Sequence, residues 1–369
     1  MNSLSSLGAC PEVPADWREL LQLITEIGAP TGQERARAEA IARWFDQLQP
    51  GLAVRDELHN VVVDLSGGKA GLWLLDAHTD TVFADSALCV VKDDSVWRCP
   101  GICDDTISVV FLMLLIRELL ERGERWPLIF SFTVGEEGEG DLRGIRAVGE
   151  RLQKRVRGAW AVDFRLDYAT TAAVGSKRWR ITWTAAGGHS WGDFGQPSAI
   201  HAMSEWISSL SAAAEWKPFT LSYNVGKVSG GTTVNSLAEN AACVLDLRSV
   251  NPELLKQASA AVLAKAREIA GRHSVKVSCE AIGDRPAGMV PNDPPLFEWI
   301  QEIHSELGIP LNAIANSTNA NALLALGIPA TCTGLSLGEG NHTREEWLEL
   351  QSVPIGWRKL WKMVERVLR

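Results

Sequence analysis

The chain has 369 residues, too long for one hydrophobic core of ordinary size, which predicts two domains, either in series or with one inserted into the other. Hydrophobic residues make up 46% and charged residues 22%, which is typical of globular proteins and excludes the disordered, collagen-like and coiled-coil classes. Because 45 acidic residues face 36 basic ones, giving a net charge of −9, we expect no nucleic acid partner.

The first part of the chain alternates helical and extended patterns. The spacing of apolar residues predicts helices over 17–27, 35–48 and 106–122, and Thr31 with Glu34 has the form of a capping box for the second. Short apolar runs predict strands over 60–65, 71–75, 128–134 and 159–162. Such alternation predicts an α/β fold with a mostly parallel central sheet covered on both faces.

The pattern changes near Gly175. From there the sequence predicts a strand, a helix, two strands, a helix and a strand, over 179–185, 198–213, 220–228, 241–247, 253–269 and 275–279. This order is that of the ferredoxin-like split βαβ arrangement. We therefore predict a catalytic domain over 1–174 and 283–369, interrupted by an inserted domain over 175–282.

Cysteine use and hydropathy indicate the compartment. The seven cysteines are odd in number and scattered, and the chain shows no secretory leader, so reduced thiols in a cytoplasmic protein are expected. Only Cys99 and Cys103 lie close together, and no second pair follows that would complete a structural zinc site. The longest apolar run, 107–116, is shorter than the roughly 20 residues of a membrane helix, so we predict no membrane partner.

Acidic residues and histidines follow the predicted strands. His78 and Asp80 follow the strand that ends at 75, and Glu136 and Glu137 follow the one that ends at 134. Asp163 comes directly after the strand that ends at 162. In an open parallel sheet the loops beyond the carboxyl ends of the strands converge on one crevice, so we expect these side chains to meet there.

Histidine and carboxylate ligands with little thiolate suit zinc, and also manganese or cobalt. A two-metal site needs a carboxylate that bridges ions about 3.5–4 Å apart. Five residues could fill such a site: His78, Asp104, Glu137, Asp163 and His342. Asp80 could accept the other ring N–H of His78, and Glu136, which points away from its neighbour on an extended chain, would be the general base.

Each of these residues also has a structural interpretation. Asp104 or Asp105 could cap the helix that begins near Thr106, and Glu136 and Glu137 could be solvated loop acids. A lone histidine such as His78 or His342 is more often hydrogen-bonded than metal-bound. The structural interpretation must hold at every strand end independently, so the joint pattern favours a metal site.

Five segments occur in the order seen in one family: 75–82 (LDAHTDTV), 101–105 (GICDD), 133–138 (TVGEEG), 187–190 (GGHS) and 340–343 (GNHT). They resemble those of the dinuclear zinc exopeptidases and deacylases, among them peptidase T, carnosinase, carboxypeptidase G, acetylornithine deacetylase and aminoacylase. The resemblance covers nearly the whole chain. It implies a zinc-exopeptidase-like catalytic domain with an inserted lid domain through which two copies form a homodimer.

The resemblance also implies site roles. His78 and Asp163 would bind one zinc, Glu137 and His342 the other, and Asp104 would bridge them, with Glu136 as the base. His189 resembles the lid histidine that reaches into the partner subunit's site to stabilise the developing oxyanion, although it could be a flexible glycine-loop residue. Asn235 and Arg248 resemble lid residues that hold the polar or carboxylate end of the substrate, although Arg248 could also be an exposed strand residue.

One departure from the family concerns the residues after the bridging aspartate. Many relatives have Lys and then Gly soon after the Asp-Asp or Asp-Asn pair, whereas this chain has Thr106, Ile107 and Ser108. No zinc ligand is lost by the change. It affects the local packing or the pocket wall and weakens assignment to a subgroup.

The reaction implied is metal-assisted amide hydrolysis of a short peptide or an N-acyl amino acid. Within the family, a residue resembling Asp163 is Asp in aminopeptidases and dipeptidases and Glu in carboxypeptidases and several deacylases. The sequence therefore predicts a di- or tripeptidase that releases N-terminal residues. The alternatives are an N-acyl-amino-acid deacylase or carboxypeptidase and, more remotely, a catalytically silent relative that binds peptide or metal.

Overall fold

A computed structural model describes residues 7–83, 85, 88–123, 125–211 and 216–369. The chain divides into two compact units, one comprising Met1–Ala173 with Met289–Arg369 and the other Val174–Gly288. None of the helices that these described residues form has the length and apolar character needed to cross a bilayer. The seven cysteines are all free thiols.

The secondary structure is given in chain order. The helices are α1 Trp17–Glu26, α2 Arg35–Leu48, α3 Ile107–Arg122, α4 Arg143–Leu152, α5 Ala199–Ser211, α6 Pro252–Arg272, α7 Leu296–Leu307, α8 Ala320–Ala325 and α9 Val353–Leu368. The strands are β1 Ala53–Arg55, β2 Val61–Asp64, β3 Leu72–His78, β4 Val91–Lys92, β5 Val96–Arg98, β6 Leu128–Thr133, β7 Val156–Ala161, β8 Tyr168–Ala173, β9 Gly175–Thr184, β10 Gly188–His189, β11 Leu221–Gly230, β12 Ser236–Leu237, β13 Asn240–Ser249, β14 Lys276–Arg285, β15 Gly288–Met289, β16 Asn312–Asn316, β17 Ala330–Cys332, β18 Gly338–Glu339 and β19 Trp347–Glu349.

The first unit is built on a six-stranded sheet with the order β1-β2-β6-β3-β7-β17. Strands β6, β3, β7 and β17 are parallel to one another, and β2 and β1 are added antiparallel at one edge. This confirms the predicted α/β class with a largely parallel central sheet. The carboxyl ends of the four parallel strands consequently lie at the same edge.

Both faces of this sheet are covered. Trp73 and Leu75 of β3 enter a core cluster with α1, α3 and α9, whereas Leu72 and Leu74 enter a second cluster with α4 and α8. Successive side chains of a strand point to opposite faces, so the continuous apolar run of β3 serves both layers. Helix α3 is buried along most of its length, as its nearly unbroken apolar sequence requires.

A small antiparallel sheet in the first unit places two loops side by side. Its order is β18-β19-β5-β4, with Trp347 of β19 opposite Arg98 of β5. The chain leaves β5 into the turn Ile102–Thr106 that precedes α3, and the segment between β18 and β19 contains His342. These strands are only two or three residues long, too short for periodicity to predict.

The predicted capping box of α2 is wrong. Helix α2 begins at Arg35 with Glu34 as N-cap, and neither side chain of the proposed box caps it. Instead Thr31 Oγ1 donates to Asp80 Oδ2 at 2.9 Å, and Glu34 pairs with Arg143. Both side chains have taken tertiary partners, which a local sequence pattern does not include.

The second unit has a four-stranded antiparallel sheet with the order β11-β13-β9-β14 and the helices α5 and α6. Its core cluster contains alternate residues of the strands, among them Ile181 and Trp183 of β9, packed with Trp206 of α5 and Val262 of α6. The strand and helix order is that of a split βαβ unit. The last strand, β14, extends to Arg285.

Candidate metal centre

Three parallel strands end beside the candidate ligands. Strand β3 ends at His78 itself, β6 ends at Thr133 shortly before Glu136 and Glu137, and β7 ends at Ala161 just before Asp163. All of these side chains are almost fully buried. Burial of so many ionisable groups at one sheet edge is costly unless charges compensate one another, so the arrangement indicates a site with a purpose beyond packing.

Asp104 lies between two histidines. Its Oδ1 is 3.0 Å from Nε2 of His78, and its Oδ2 is 3.2 Å from Nε2 of His342. Nε2 of His342 is also 2.9 Å from Oε1 of Glu137. Helix α3 has Thr106 as its N-cap and no side-chain cap, so Asp104 and Asp105 do not have the capping role that was their structural alternative.

The ligand atoms form two overlapping groups. His78, Asp104 and Glu137 each offer one atom within 4.8 Å of the others, and so do His78, Asp105 and Asp163. The structure thus brings together all five predicted ligands, with His342 joined through Asp104 and Glu137. Asp105 was not predicted as a ligand; its Oδ2 accepts the backbone N–H of His78 at 3.1 Å.

The electrostatics of the cluster show how closely the charges are packed. Burial, with repulsion from Asp104, raises the pKa of Asp163 to about 7. Hydrogen bonds with Asp104 and Glu137 raise the pKa of His342 to about 11. Burial acts to raise the pKa of Asp104, but the hydrogen bonds with His342 and His78 outweigh it and hold that pKa below its usual range.

This donor set fits divalent metal ions. Neutral imidazole and carboxylate are ligands that zinc, cobalt and manganese accept, and a carboxylate with a histidine on each oxygen has the form of a bridging ligand. The carboxylates that repel one another here would be compensated by cations. The same nitrogen and oxygen atoms can bind either metal ions or protons, so metal affinity at these residues would depend on pH.

Asp80 lies beside the ring of His78 and also binds two backbone N–H groups. Nδ1 of His78 faces the backbone carbonyl of Asp80 at 3.1 Å and lies 3.6 Å from its carboxylate. The carboxylate accepts the backbone N–H groups of Glu136 and Glu137, both at 2.9 Å. Asp80 therefore joins the loop after β3 to the loop after β6 and fixes the backbone of both glutamates.

The second unit carries the other predicted site residues. His189 and Asn235 are neighbours, because β10 pairs with β12 and the backbone N–H of Ser190 donates to the carbonyl of Asn235. Both side chains are exposed. Arg248 is also exposed on β13, where its Nε donates to Asp246 at 2.8 Å.

Local hydrogen bonds determine the tautomer of His189. The backbone N–H groups of Trp191 and Gly192 donate to Nδ1 of the ring at 3.2 and 3.3 Å. Nδ1 is thus the acceptor of the ring, which leaves Nε2 as the donor nitrogen of the matching tautomer. That nitrogen is the one available as a hydrogen-bond donor toward a ligand.

The sequence analysis gave no role to Asp76, which binds polar side chains near the strand ends. Asp76 of β3 is buried and accepts hydrogen bonds from Ser131, Thr133 and Asn319. Its position in an otherwise apolar strand was the signal that could have marked it. Burial raises its pKa to about 6, against the effect of these three donors.

A buried arginine contacts Thr106, the residue that follows Asp104 and Asp105. Nη1 of Arg37 donates to the carbonyl of Thr79 at 3.0 Å and to Oγ1 of Thr106 at 3.2 Å, and its Nε donates to the carbonyl of Ile27 at 2.9 Å. The guanidinium is fully buried. A cation is therefore present beside the Asp104 turn, supplied by α2 instead of by residue 106.

Comparison with known proteins identifies a family and several similar structures. The model of peptidase family M20/M25/M40 matches residues 74–366, well over half of the chain. No curated protein sequence matches. Among solved structures, a tripeptidase from Staphylococcus aureus is 20% identical, with 96% of this chain and 98% of that chain covered and a TM-score of 0.80.

Two further structures are similar. Aminopeptidase PepT from Bacillus cereus is 18% identical over 96% of this chain and 98% of its own, with a TM-score of 0.75. A Bacillus subtilis protein described as a dinuclear metal binding peptidase is 16% identical over 95% of this chain and 97% of its own, with a TM-score of 0.68. At these identities the likeness shows a shared fold. From the family model and the fold together, the chain belongs to peptidase family M20/M25/M40.

Proposed function

We propose that this protein is a dinuclear metallo-exopeptidase that releases N-terminal residues from di- or tripeptides. The observation that carries the proposal is the position of Asp104, with one histidine on each carboxylate oxygen and Glu137 on the far side of His342. Membership of the peptidase family supports it. The similar tripeptidase and aminopeptidase structures are consistent with a substrate that has a free N-terminus.

In this proposal five residues hold two divalent ions, for which zinc suits the donors best and cobalt or manganese would also serve. His78 and Asp163 would bind one ion, Glu137 and His342 the other, and Asp104 both. When bound, such ions polarise the scissile carbonyl and acidify a water molecule.

The residues of the chain supply the proton transfers. Glu136 takes a proton from the attacking water and returns it to the leaving amine, since it is the carboxylate next to the ligand Glu137 and its backbone is held by Asp80. His189 of the second unit would reach the metal centre of the partner copy and donate from Nε2 to the oxyanion that develops on the carbonyl oxygen. Asn235, its neighbour, and Arg248 hold the polar end of the peptide.

The second unit is proposed as the lid and as the surface through which two copies form a homodimer. Its edge strand β11 is exposed over most of its length, and β13 is the one strand that pairs with it among the described residues. An edge strand of this length offers unpaired backbone groups to another chain. Light scattering on the purified protein tests the dimer directly.

The test of the activity compares trialanine with N-acetyl-trialanine as substrates of the zinc-loaded protein. We expect faster cleavage of the unblocked peptide, with free alanine and dialanine as the products. Faster cleavage of the acetylated form with release of acetate would instead identify an N-acyl-amino-acid deacylase. Release of the carboxy-terminal residue from both forms would identify a carboxypeptidase, in which Arg248 grips the terminal carboxylate.

A protein that binds two zinc ions but cleaves none of these peptides, nor a small peptide library, would overturn the proposal in favour of a silent relative. Metal content is measured on the same sample by atomic emission. A lack of turnover is then separated from a lack of metal.

A further inference from the structure

Glu346 is a buried carboxylate at the turn that carries Asp104. It accepts the backbone N–H of Gly101 at 2.6 Å on one oxygen. Its other oxygen accepts the N–H groups of Cys103 at 2.8 Å and of Asp104 itself at 2.9 Å. Only 1% of the residue is exposed. One side chain thus satisfies three backbone donors of a turn in which Asp104 and Asp105 have non-helical backbone angles.

The position of Glu346 in the chain links this turn to a second ligand. It lies four residues after His342, directly before β19, and its own carbonyl accepts the backbone N–H of Cys99 at 3.0 Å. Strand β19 pairs with β5, from which the Asp104 turn leaves. The side chain and the backbone of Glu346 therefore both bind the segment that presents Asp104.

The chemistry of this arrangement is specific to a carboxylate. Three N–H groups that converge on one point form a concave anion site, and two oxygens with several lone pairs are needed to satisfy all three. An amide could accept with its oxygen but would direct its NH₂ group at the remaining N–H. The buried donor left over would lose its hydrogen bond, and the turn would shift to recover it.

We propose that Glu346 is a positioning residue of the metal centre, which holds the Asp104 turn and the His342 loop together so that Asp104 can bridge two ions. The role rests on the proposed function, because it gives the reason for fixing these two ligands to each other. Residues that orient ligands in this way typically contribute 10–100-fold to metal affinity.

The test uses Glu346→Gln with Glu345→Gln as its matched control. The two glutamates are adjacent, and Glu345 is exposed where Glu346 is buried. Zinc is titrated calorimetrically into the metal-free full-length proteins at one pH, well below the temperature at which any of them unfolds. We expect Glu346→Gln to bind zinc about 10–100-fold more weakly than the wild type, with Glu345→Gln unchanged.

A merely structural role would lower the melting temperature of metal-free Glu346→Gln and leave the zinc affinity of its folded form intact, and that outcome overturns the proposal. Glu346→Asp is the second variant, which keeps the charge but reaches fewer donors, and it should lose affinity to a smaller extent. If it binds zinc as the wild type does, the proposal is equally wrong. A wild-type protein that binds no zinc would overturn the metal centre itself, which distinguishes failure of the proposed function from failure of this role.

Discussion

Glu136 and Glu137 are sequence neighbours with different tasks in the proposed reaction. Both are about 6% exposed, and both backbone N–H groups are bound by Asp80. Oε1 of Glu137 lies 2.9 Å from Nε2 of His342. Neighbouring side chains on an extended backbone point in opposite directions. We therefore assign proton transfer to Glu136 and metal binding to Glu137 in the proposed reaction.

Replacing the base should separate these tasks. We expect Glu136→Gln to lose about 10²–10⁴-fold in kcat while its zinc content stays at the wild-type level, because an amide cannot take up the proton of the attacking water. The measurement is peptide turnover together with atomic emission. Glu139→Gln, at an exposed position of the same loop, is the control and should be fully active. Substantial activity in Glu136→Gln would assign the base elsewhere.

At the scale of elements, Thr106 connects the start of α3 to a side chain of another helix. Thr106 is fully buried, and its hydroxyl donates to the carbonyl of Gly101 and accepts from Arg37. Arg37 comes from α2, and Thr106 stands at the start of α3. The cation beside the turn thus belongs to another helix, and the two positions are expected to be coupled.

We expect Thr106→Lys to lower the free energy of unfolding by more than about 2 kcal/mol, since it buries a second cation against the guanidinium of Arg37. In an Arg37→Leu background the same change should cost less, so the two effects are not additive. Urea unfolding of the four proteins measures this. Thr106→Val, which removes the hydroxyl without adding charge, controls for the lost hydrogen bonds, and additive losses would contradict the coupling.

Helix α7 contains a buried histidine, His304, whose lowered pKa makes the stability of the fold depend on pH. His304 is 1% exposed, and its Nδ1–H donates to the carbonyl of Pro310 at 2.9 Å. Burial and the positive charge of Lys359 lower its pKa to about 4, with Asp167 acting weakly in the opposite direction. The unfolded chain, with an ordinary histidine pKa near about 6.5, binds the proton first.

The free energy of unfolding should therefore decrease as pH falls from about 6.5 toward 4, because in that range the unfolded state binds a proton at His304 and the folded state does not. His304→Asn keeps an N–H donor for Pro310 but does not titrate. We expect the variant to be less stable than the wild type at pH 7.5 and the difference to shrink by pH 5. Urea unfolding at both pH values checks this, and a constant difference would mean that the folded protein protonates His304 normally.

The elements themselves were largely predictable, whereas some of their ends and contacts were not. Helix α2 and the apolar strands β3 and β6 follow from periodicity, since burial of one or both faces fixes the sequence pattern. The capping box of α2 failed because Thr31 and Glu34 bind Asp80 and Arg143 instead. A local sequence pattern gives no information about residues far along the chain that bind the same side chains.

At the scale of the whole molecule, metal ions should stabilise the fold. Their ligands come from the loops after β3, β6 and β7, the Asp104 turn and the segment between β18 and β19, which unfolding separates. An ion that binds only the folded state raises the free energy of unfolding by about 2.7 kcal/mol when its free concentration is a hundred times its Kd. Metal binding is in this sense part of the folding free energy.

Chelation of the purified protein should therefore lower Tm, and added zinc should restore it. His342→Ala should show a smaller shift between the metal-free and zinc-loaded forms, whereas Glu136→Gln should show the wild-type shift because its ligands are intact. Differential scanning fluorimetry on all three proteins makes the comparison. An equal shift in His342→Ala would remove His342 from the ligand set.

The sequence by itself determined the α/β class, the strand–helix order of the second unit, the family resemblance and the identity of the proposed ligands. These follow from periodicity and from short segments in which chemistry requires fixed residue types at fixed spacing. Only the tertiary structure decided that Asp104 lies between His78 and His342, that Arg37 stands beside Thr106 and that Glu346 binds the Asp104 turn. Such contacts join residues up to 245 positions apart. They depend on which buried donors and acceptors pair with one another when the elements pack. The local sequence around each residue does not determine that pairing.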